Sequence, residues 1–331
     1  MRLAALLLAI VALDETKKVD VVCPFDGTKF TATEVVRTDA TYRWGGEDSD
    51  FCPHAFQTLP MEHYIWTCPK CWYSGAKEDF VPKAPLSDEL KKKIKGALTP
   101  ATPIAAGAKQ EQIPGWVKYD LVAQIETLRG ASPLDIGRRH LNAAWAARQA
   151  GAVRLDDYDD WVEAAKSAGL SKSLGDLGKK NRSEDDLVAC RKLEKELAAG
   201  KYAGTALLVR RYLLAVTFRR RGENVDALRW LDEVDKSKGE NSVIDDAAKQ
   251  VRASIAAERA QQKKAAALLA KAVEDPSLVA VEKAESLFML GEIARRNGEN
   301  ADASAWYVKA LAAAPGDALK KRVQAQKSLL K

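Results

Sequence analysis

The chain has 331 residues, of which 47% are hydrophobic and 30% are charged, and its formal net charge is +6. This length leaves room for roughly two or three domains with cores of their own, and the composition excludes a disordered chain. The charge is uneven, because residues 14–81 hold 7 Lys and Arg against 12 Asp and Glu. The acidic N-terminal part argues against nucleic-acid binding, which needs Lys and Arg at the phosphates. The basic remainder favours an acidic partner or forms a solvated helix face.

The first 13 residues have the pattern of a secretory signal peptide. Arg2 precedes an unbroken apolar run over residues 3–13. The run is shorter than the roughly 20 residues that span a bilayer, but it suits the apolar centre of an export signal. We therefore expect export to the periplasm or cell envelope. The alternatives are a buried N-terminal helix or a misassigned start, with a cytoplasmic protein in either case. No other segment approaches transmembrane length.

Residues 17–81 have short β-type stretches and contain two segments with the spacing of zinc knuckles. Segment 23–27 reads Cys-Pro-Phe-Asp-Gly, and segment 68–71 reads Cys-Pro-Lys-Cys. A knuckle places two donors three residues apart on a tight turn, and two knuckles complete a tetrahedron around one ion. The second segment has both cysteines, whereas the first has Asp26 at the second position. The pattern predicts a structural zinc site in a small, zinc-ribbon-like module.

Three ligands of this predicted site are Cys23, Cys68 and Cys71, and the fourth is open. Cys52 is the favoured candidate because thiolate is a softer donor than carboxylate, and it lies in the loop before the second knuckle. Asp26 is the alternative because it keeps the knuckle position, and His54 is a further one.

Other uses of these cysteines are also open. Disulfides compete with zinc if the protein is exported to an oxidising compartment. A redox Cys-x-x-Cys needs a helix that continues from Cys71, and the sequence after Cys71 is a poor helix start. Cys52 and His54 have the residue types of a Cys–His nucleophile, but the sequence shows no third group to orient them.

After this module the sequence becomes helical. Residues 82–114 contain a helix that begins after Ser87, an N-cap residue followed by two acidic residues, and then a Pro- and Ala-rich linker. From residue 115 to residue 331 almost every segment is helical, except for an expected loop over 170–182. Cys190 is expected to be a small core residue, and His140 a packing or surface residue.

A repeat is visible in the last third of the chain. When Ala284 is position 1, the positions 7, 8, 15, 20, 24, 27 and 32 are Leu290, Gly291, Gly298, Ala303, Tyr307, Ala310 and Pro315. Steps of 38 residues towards the N-terminus find Ala265 and then Ala227 at the place of Ala303. Small residues let two helices approach closely, and Gly suits the turn between them.

This pattern resembles the tetratricopeptide repeat, in which stacked helical hairpins bury each other's apolar faces. The resemblance implies repeat units at about 205–240, 243–277 and 281–315. Within them we expect antiparallel helix pairs across 205–236, 243–274 and 281–313. The predicted fold is therefore mainly α, a tetratricopeptide-like array after a small β-rich zinc-ribbon-like module.

A second resemblance covers about residues 20–155. Its carriers are Cys-Pro-x-x-Gly-Thr-Lys-Phe at 23–30, Tyr-Arg-Trp-Gly-Gly-Glu-Asp at 42–48, Trp-Thr-Cys-Pro-Lys-Cys at 66–71, Tyr-Ser-Gly at 73–75 and Ala-Ala-Trp-Ala-Ala-Arg at 143–148. These segments resemble the bacterial family called domain of unknown function 2225. The resemblance implies a zinc ribbon joined to helical repeats, with no known activity. The family pattern usually has Cys in place of Asp26 and Gly in place of Trp72.

Together these features predict a protein-binding or scaffold protein with a structural zinc ion and a protein or peptide partner held by the helices. They do not predict an enzyme, because no set of general acid, base and nucleophile can be assembled from the sequence. The alternative function is a nucleic-acid-binding zinc-ribbon protein.

Overall fold

The computed structural model describes residues 16–36, 47–53, 60–81, 85–105, 107–150, 182–237, 239, 241–313 and 316–330. The predicted signal peptide, His54 and residues 170–181 of the predicted loop lie outside this described part. The described chain is mainly helical and has a small N-terminal β region.

The β region consists of two hairpins, and each hairpin turn is one of the predicted knuckles. Strand β1 (Thr16–Val22) pairs antiparallel with β2 (Lys29–Val35), and β3 (Trp66–Thr67) pairs antiparallel with β4 (Ser74–Gly75). Helix α1 (Lys77–Phe80) follows directly. Its Phe80 ring lies 5.4 Å from Tyr73 and 5.9 Å from Trp66, between ring centroids, which gives the region an aromatic core.

Helix α2 (Asp88–Ile94) begins where the sequence predicts, since the Ser87 side chain accepts a hydrogen bond from the Leu90 N–H at 3.2 Å. The segment after it, expected to be a linker, packs against the β region. The Gln110 side chain lies in a short 3₁₀ helix, is buried, and accepts a hydrogen bond from the Thr67 N–H at 3.1 Å. These contacts hold the segment on the protein surface between α2 and the first long helix.

Nine further helices follow in the described part of the chain. They are α3 (Gly115–Arg129), α4 (Pro133–Ala150), α5 (Arg182–Ala198), α6 (Gly204–Arg220), α7 (Asn224–Asp235), α8 (Ser242–Ala272), α9 (Ala280–Arg296), α10 (Asn300–Ala312) and α11 (Asp317–Lys327). Helix α3 places Val117, Leu121 and Ile125 in the same apolar core as Trp66 and Phe80. The β region and the helices therefore share a core.

Two of the three predicted hairpins are present. Helices α6 and α7 turn at Gly222, and α9 and α10 turn at Gly298, where φ is 68° and 84°. At the close contacts Ala215, Ala227 and Ala303 are fully buried. A Cβ atom on Gly291 would lie 2.4 Å from Cε1 of Tyr307, so only glycine allows α10 to approach α9 so closely.

The predicted helix pair across 243–274 is wrong, because α8 is one unbroken helix of 31 residues. The turn position of this unit is Ala260, and no Gly or Pro interrupts residues 242–272. A run rich in Ala, Lys, Gln and Glu continues a helix and does not supply the left-handed residue that ends one. The three consecutive hairpins that the repeat predicts are therefore not formed.

The second half of α8 packs instead against α4, a helix that the repeat pattern does not include. A Cβ atom on Gly137 would lie 3.3 Å from Leu268 and Leu269, and His140 Nδ1 lies 2.8 Å from Gln261 Oε1. Among the described residues, no helix is long and apolar enough to cross a membrane.

Candidate metal centre

The two knuckles have the same backbone geometry. In the first, the Cys23 N–H donates to the Thr28 carbonyl at 2.8 Å and the Gly27 N–H donates to the Cys23 carbonyl at 2.9 Å. In the second, Cys68 N–H to Tyr73 carbonyl and Trp72 N–H to Cys68 carbonyl are 2.8 and 3.0 Å. Gly27 and Trp72 both have positive φ, 75° and 65°. Each turn thus directs its residues i and i+3 to the same side.

These turns bring together Cys23, Asp26, Cys68 and Cys71, whose donor atoms all lie within 4.8 Å of one another. The sulfurs of Cys23 and Cys71 are 3.6 Å apart, and the Cys68 sulfur is 3.7 Å from Asp26 Oδ1. Zn–S bonds of about 2.3 Å place the sulfurs of a tetrahedral site roughly 3.7 Å apart. The spacing matches such a site and is much longer than the roughly 2.0 Å of a disulfide. All five cysteines are free thiols in the structure.

The structure does not bring Cys52 to this group, so the favoured fourth ligand is corrected to Asp26. Cys52 is fully buried in another part of the molecule, where burial raises the pKa of its thiol and the charge of Arg148 opposes that rise. Its sulfur lies 3.9 Å from the Pro53 carbonyl. The prediction relied on the position of Cys52 in the loop before the second knuckle. In the structure, the loop that contains Cys52 folds towards the helices.

Asp26 is held in place by the turn itself. The Thr28 N–H donates to Asp26 Oδ1 at 3.0 Å, which orients the carboxylate towards the Cys68 sulfur. Asp26 is exposed and Cys71 is half-buried, whereas Cys23 and Cys68 are buried. Solvent therefore reaches the carboxylate side of the centre more readily than the cysteine side.

The thiols influence each other strongly. Hydrogen bonds from Cys23 and Cys71 lower the pKa of Cys68 to about 2, and the hydrogen bond to Cys68 raises the pKa of Cys23 to about 12. The pKa of Cys71 also rises, through its hydrogen bonds with Cys23 and Cys68 and through burial. Without a metal, hydrogen bonds that involve thiol protons thus link the three sulfur atoms. A bound dication would displace these protons and favour three thiolates.

This donor set fits a structural zinc ion. Three sulfurs and one carboxylate oxygen are ligands that zinc accepts, and four protein donors make a closed tetrahedral site. A bound ion would join the two hairpins, which also contact each other through a small aromatic core.

A second feature is a buried network of ion pairs, which the sequence analysis did not predict. The network surrounds residues 47–53, and this segment is called here the inserted loop. Arg148 on α4 donates to Asp48 Oδ2 at 3.0 Å, to Asp50 Oδ2 at 2.6 Å and to Glu258 Oε1 of α8 at 2.7 Å. Arg219 of α6 pairs with the same Glu258. All five side chains are at least 95% buried.

The network continues into α9. Arg296 lies 3.2 Å from Asp50 Oδ1 and 3.3 Å from Glu292 Oε2, and Glu292 accepts a hydrogen bond from the Ser49 hydroxyl at 2.6 Å. The inserted loop is thus bound to α4 and α9 at once. A signal for this was in the sequence: the segments 42–48 and 143–148 carry the family resemblance, and Asp48 and Arg148 are their last residues.

Two side predictions agree with the structure. Cys190 is fully buried in the core of α5, α6 and α7. His140 is buried and hydrogen-bonded to Gln261, and burial lowers its pKa.

The family described as "Uncharacterized protein conserved in bacteria", domain of unknown function 2225, matches residues 16–255. The matched range includes both knuckles, the inserted loop and Arg148, and it ends inside α8. No curated protein and no solved structure matches the chain. Since the match covers well over half of its length, the chain belongs to the bacterial family called domain of unknown function 2225.

Proposed function

We propose that this protein is a zinc-stabilised helical scaffold that binds another protein and has no catalytic activity of its own. The observation that carries the proposal is the convergence of Cys23, Asp26, Cys68 and Cys71 on one point. Four protein ligands leave no open position for a substrate, which is typical of structural rather than catalytic zinc.

The position of the centre supports a stabilising role. The two hairpins have short strands, and β3 and β4 have two residues each. Such strands are marginal without further support, so metal binding would supply folding free energy directly. The shared core with α3 would pass this stabilisation on to the helices.

Zinc content tests the metal part of the proposal. We expect one zinc ion per chain in purified protein by elemental analysis, and loss of that zinc in Cys68→Ser. Cys52→Ala and Cys190→Ala are matched controls that remove a buried cysteine outside the centre, and both should keep the zinc. Protein that neither contains nor takes up zinc, or Cys68→Ser with full zinc content, would refute the proposal.

Chelation tests what the metal does. Removal of zinc should abolish protection from hydrogen exchange in residues 16–35 and 66–75, because their hairpins lose the ion that joins them. The circular dichroism signal of the helices should change little. Equal loss of protection throughout α6 to α10 would contradict a local structural role.

Affinity capture tests the binding part. The full chain, immobilised and incubated with extract of the source bacterium, should retain one protein in near-stoichiometric amount. The same chain without zinc should retain less if the β region takes part. Retention of no protein at comparable amount, over several extract conditions, would contradict the scaffold role.

A further inference from the structure

The three cysteines of the metal centre differ in how far solvent reaches them. Cys23 is 1% exposed and Cys68 is 0% exposed, whereas Cys71 is half-buried. The two other cysteines of the chain, Cys52 and Cys190, are fully buried and lie outside the centre. A dissolved oxidant would therefore reach Cys71 more readily than any other cysteine.

Backbone hydrogen bonds add to this difference. The Cys23 and Cys68 sulfurs each accept hydrogen bonds from two backbone N–H groups of their own knuckle, and the Cys71 sulfur accepts one from the Tyr73 N–H. A hydrogen bond to sulfur withdraws electron density and lowers the nucleophilicity of the thiolate. These bonds therefore protect Cys23 and Cys68 from an oxidant more than they protect Cys71.

The Cys23 sulfur is placed to react with an oxidised Cys71. The two sulfurs are 3.6 Å apart, so a disulfide requires that they approach by about 1.5 Å. The Cys68 sulfur lies beside Asp26 instead, 3.7 Å from its Oδ1. Because Cys23 and Cys71 belong to different knuckles, a disulfide between them would keep the two hairpins joined without a metal.

We propose that Cys71 is an oxidation site, at which hydrogen peroxide converts Cys23 and Cys71 into a disulfide and thereby frees the metal ion. This inference rests on the metal part of the proposed function and adds a regulation to it. A bound zinc ion would keep all three cysteines as thiolates, the form of cysteine that attacks an oxidant.

The reaction balances with peroxide as the oxidant. The Cys71 thiolate attacks one peroxide oxygen, the O–O bond breaks and hydroxide leaves, so that Cys71 becomes a sulfenic acid. The Cys23 thiolate then attacks the Cys71 sulfur, the S–O bond breaks and a second hydroxide leaves. The two sulfurs together lose two electrons, and the peroxide gains them.

The disulfide removes two of the four donors of the centre. Cys68 and Asp26 remain, and two protein ligands do not make a closed tetrahedral zinc site. Asp26 is exposed, so the metal ion has a path to solvent on that side. Reduction of the disulfide by a thiol would restore the three thiolates, which makes the change reversible.

The test uses full-length, zinc-loaded protein and excess hydrogen peroxide. Intact mass should show loss of the two thiol hydrogens, and peptide mass spectrometry should find Cys23 linked to Cys71. A chromogenic chelator should detect one zinc ion for each disulfide formed, and dithiothreitol with added zinc should restore the zinc content. Dimedone, which traps sulfenic acids, should label Cys71 about tenfold more than Cys23 or Cys68.

Cys71→Asp separates the oxidation site from the rest of the centre. The first knuckle already has an aspartate at the equivalent position, Asp26, so the variant keeps four donors. Peroxide should release its zinc about tenfold more slowly, because the accessible thiolate is gone. Cys52→Ala and Cys190→Ala are matched controls that should release zinc at the wild-type rate. Dimedone labelling of the wild-type protein tests the site whether or not Cys71→Asp holds zinc.

Absence of a disulfide in excess peroxide, or a disulfide that links Cys68 to Cys71, would overturn the inference. So would zinc that stays bound after oxidation, preferential dimedone labelling of Cys23 or Cys68, or release from zinc-loaded Cys71→Asp at the wild-type rate. In zinc-loaded protein these outcomes leave the metal part of the proposed function intact, whereas protein that never holds zinc would refute that part itself.

Discussion

Gly27 and Trp72 occupy equivalent positions in the two knuckles, immediately after the second ligand. Both have positive φ, which costs a non-glycine residue about 1–2 kcal/mol. Trp72 shows that a large side chain can adopt this conformation when the surroundings support it. Its side chain packs against the aromatic core of the β region, which offsets part of the strain.

Gly27→Ala should therefore destabilise the zinc-loaded protein only moderately. A Cβ atom at Gly27 would meet nothing within 4 Å, so the expected cost is the backbone strain alone, about 1 kcal/mol. Denaturant unfolding of the β region gives the free energy, and elemental analysis should still find one zinc. Loss of the zinc would mean that the turn itself requires glycine.

Glu258 is a carboxylate of the buried network with four partners among the described residues. It accepts hydrogen bonds from Arg148 at 2.7 Å, from Gln262 at 2.9 Å and from Asn224 at 3.2 Å, and it pairs with Arg219. Burial alone would raise its pKa, but the guanidinium groups of Arg148 and Arg219 hold the pKa below its usual value. The Glu258 carboxylate is thus a buried anion that compensates the positive charges of Arg148 and Arg219.

Glu258→Gln should lower the free energy of unfolding by roughly 3–5 kcal/mol, because it leaves buried positive charge without its counter-ion. The matched control is Glu233→Gln, which removes a carboxylate of a partly exposed pair with Arg211 and should cost less than about 1 kcal/mol. Chemical denaturation followed by circular dichroism measures both. Equal effects of the two variants would show that the buried network contributes no more to stability than a partly exposed ion pair does.

At the scale of elements, α8 distinguishes this fold from a regular repeat array. It extends over 31 residues, its first half packs near α6 and α7, and its second half packs against α4. A turn at Ala260, as the repeat predicts, would have ended the helix before Gln261, Leu268 and Leu269, which contact α4. The unbroken helix therefore joins the α6–α7 hairpin to the α3–α4 hairpin.

Ala260→Gly separates the two architectures. In an unbroken helix the exposed Ala260 has a higher helix propensity than Gly. The substitution should therefore lower the free energy of unfolding by about 1 kcal/mol. At a hairpin turn with positive φ the same change would be neutral or stabilising. The shift of the thermal or denaturant midpoint, relative to wild type, measures the sign of the effect. A stabilised Ala260→Gly protein would contradict the unbroken helix.

At the scale of the whole molecule, the inserted loop connects the N-terminal and C-terminal halves through buried ion pairs. Asp50 bridges Arg148 on α4 and Arg296 on α9. Burial would raise the pKa of Asp50, but these two cations outweigh that effect and lower the pKa to about 2. Phe51 adds an edge-on contact with Phe288, with ring centroids 5.7 Å apart. One short loop thus ties together helices that lie far apart in the sequence.

Asp50→Asn should accelerate hydrogen exchange in both α4 and α9, since the neutral amide keeps the shape but leaves two arginines less compensated. Mass spectrometry of peptides from both helices measures this. Asp275→Asn is a control that removes an exposed carboxylate which accepts hydrogen bonds from Ser277. Acceleration confined to one helix would mean that the loop does not couple them.

The local features of this protein follow from short segments of its amino-acid sequence. The positions of Cys23, Cys68 and Cys71 follow from the two-knuckle spacing, the turns at Gly222 and Gly298 follow from glycine, and the start of α2 follows from the Ser87 cap. Each single knuckle turn, glycine turn and helix cap depends on residues within five positions of one another. Such local interactions occur in many proteins, so the residue pattern is enough to predict the turn or cap.

The contacts between groups that are distant in the sequence depend on the folded chain. Asp26 rather than Cys52 lies with Cys23, Cys68 and Cys71 because the inserted loop carries Cys52 towards Arg148, and α8 stays unbroken with α4 as its partner. The buried pairs of Arg148 and Arg296 also join residues about 100 or more positions apart. The free energy of these contacts depends on burial and on exact placement after folding, and neither quantity is encoded in local spacing.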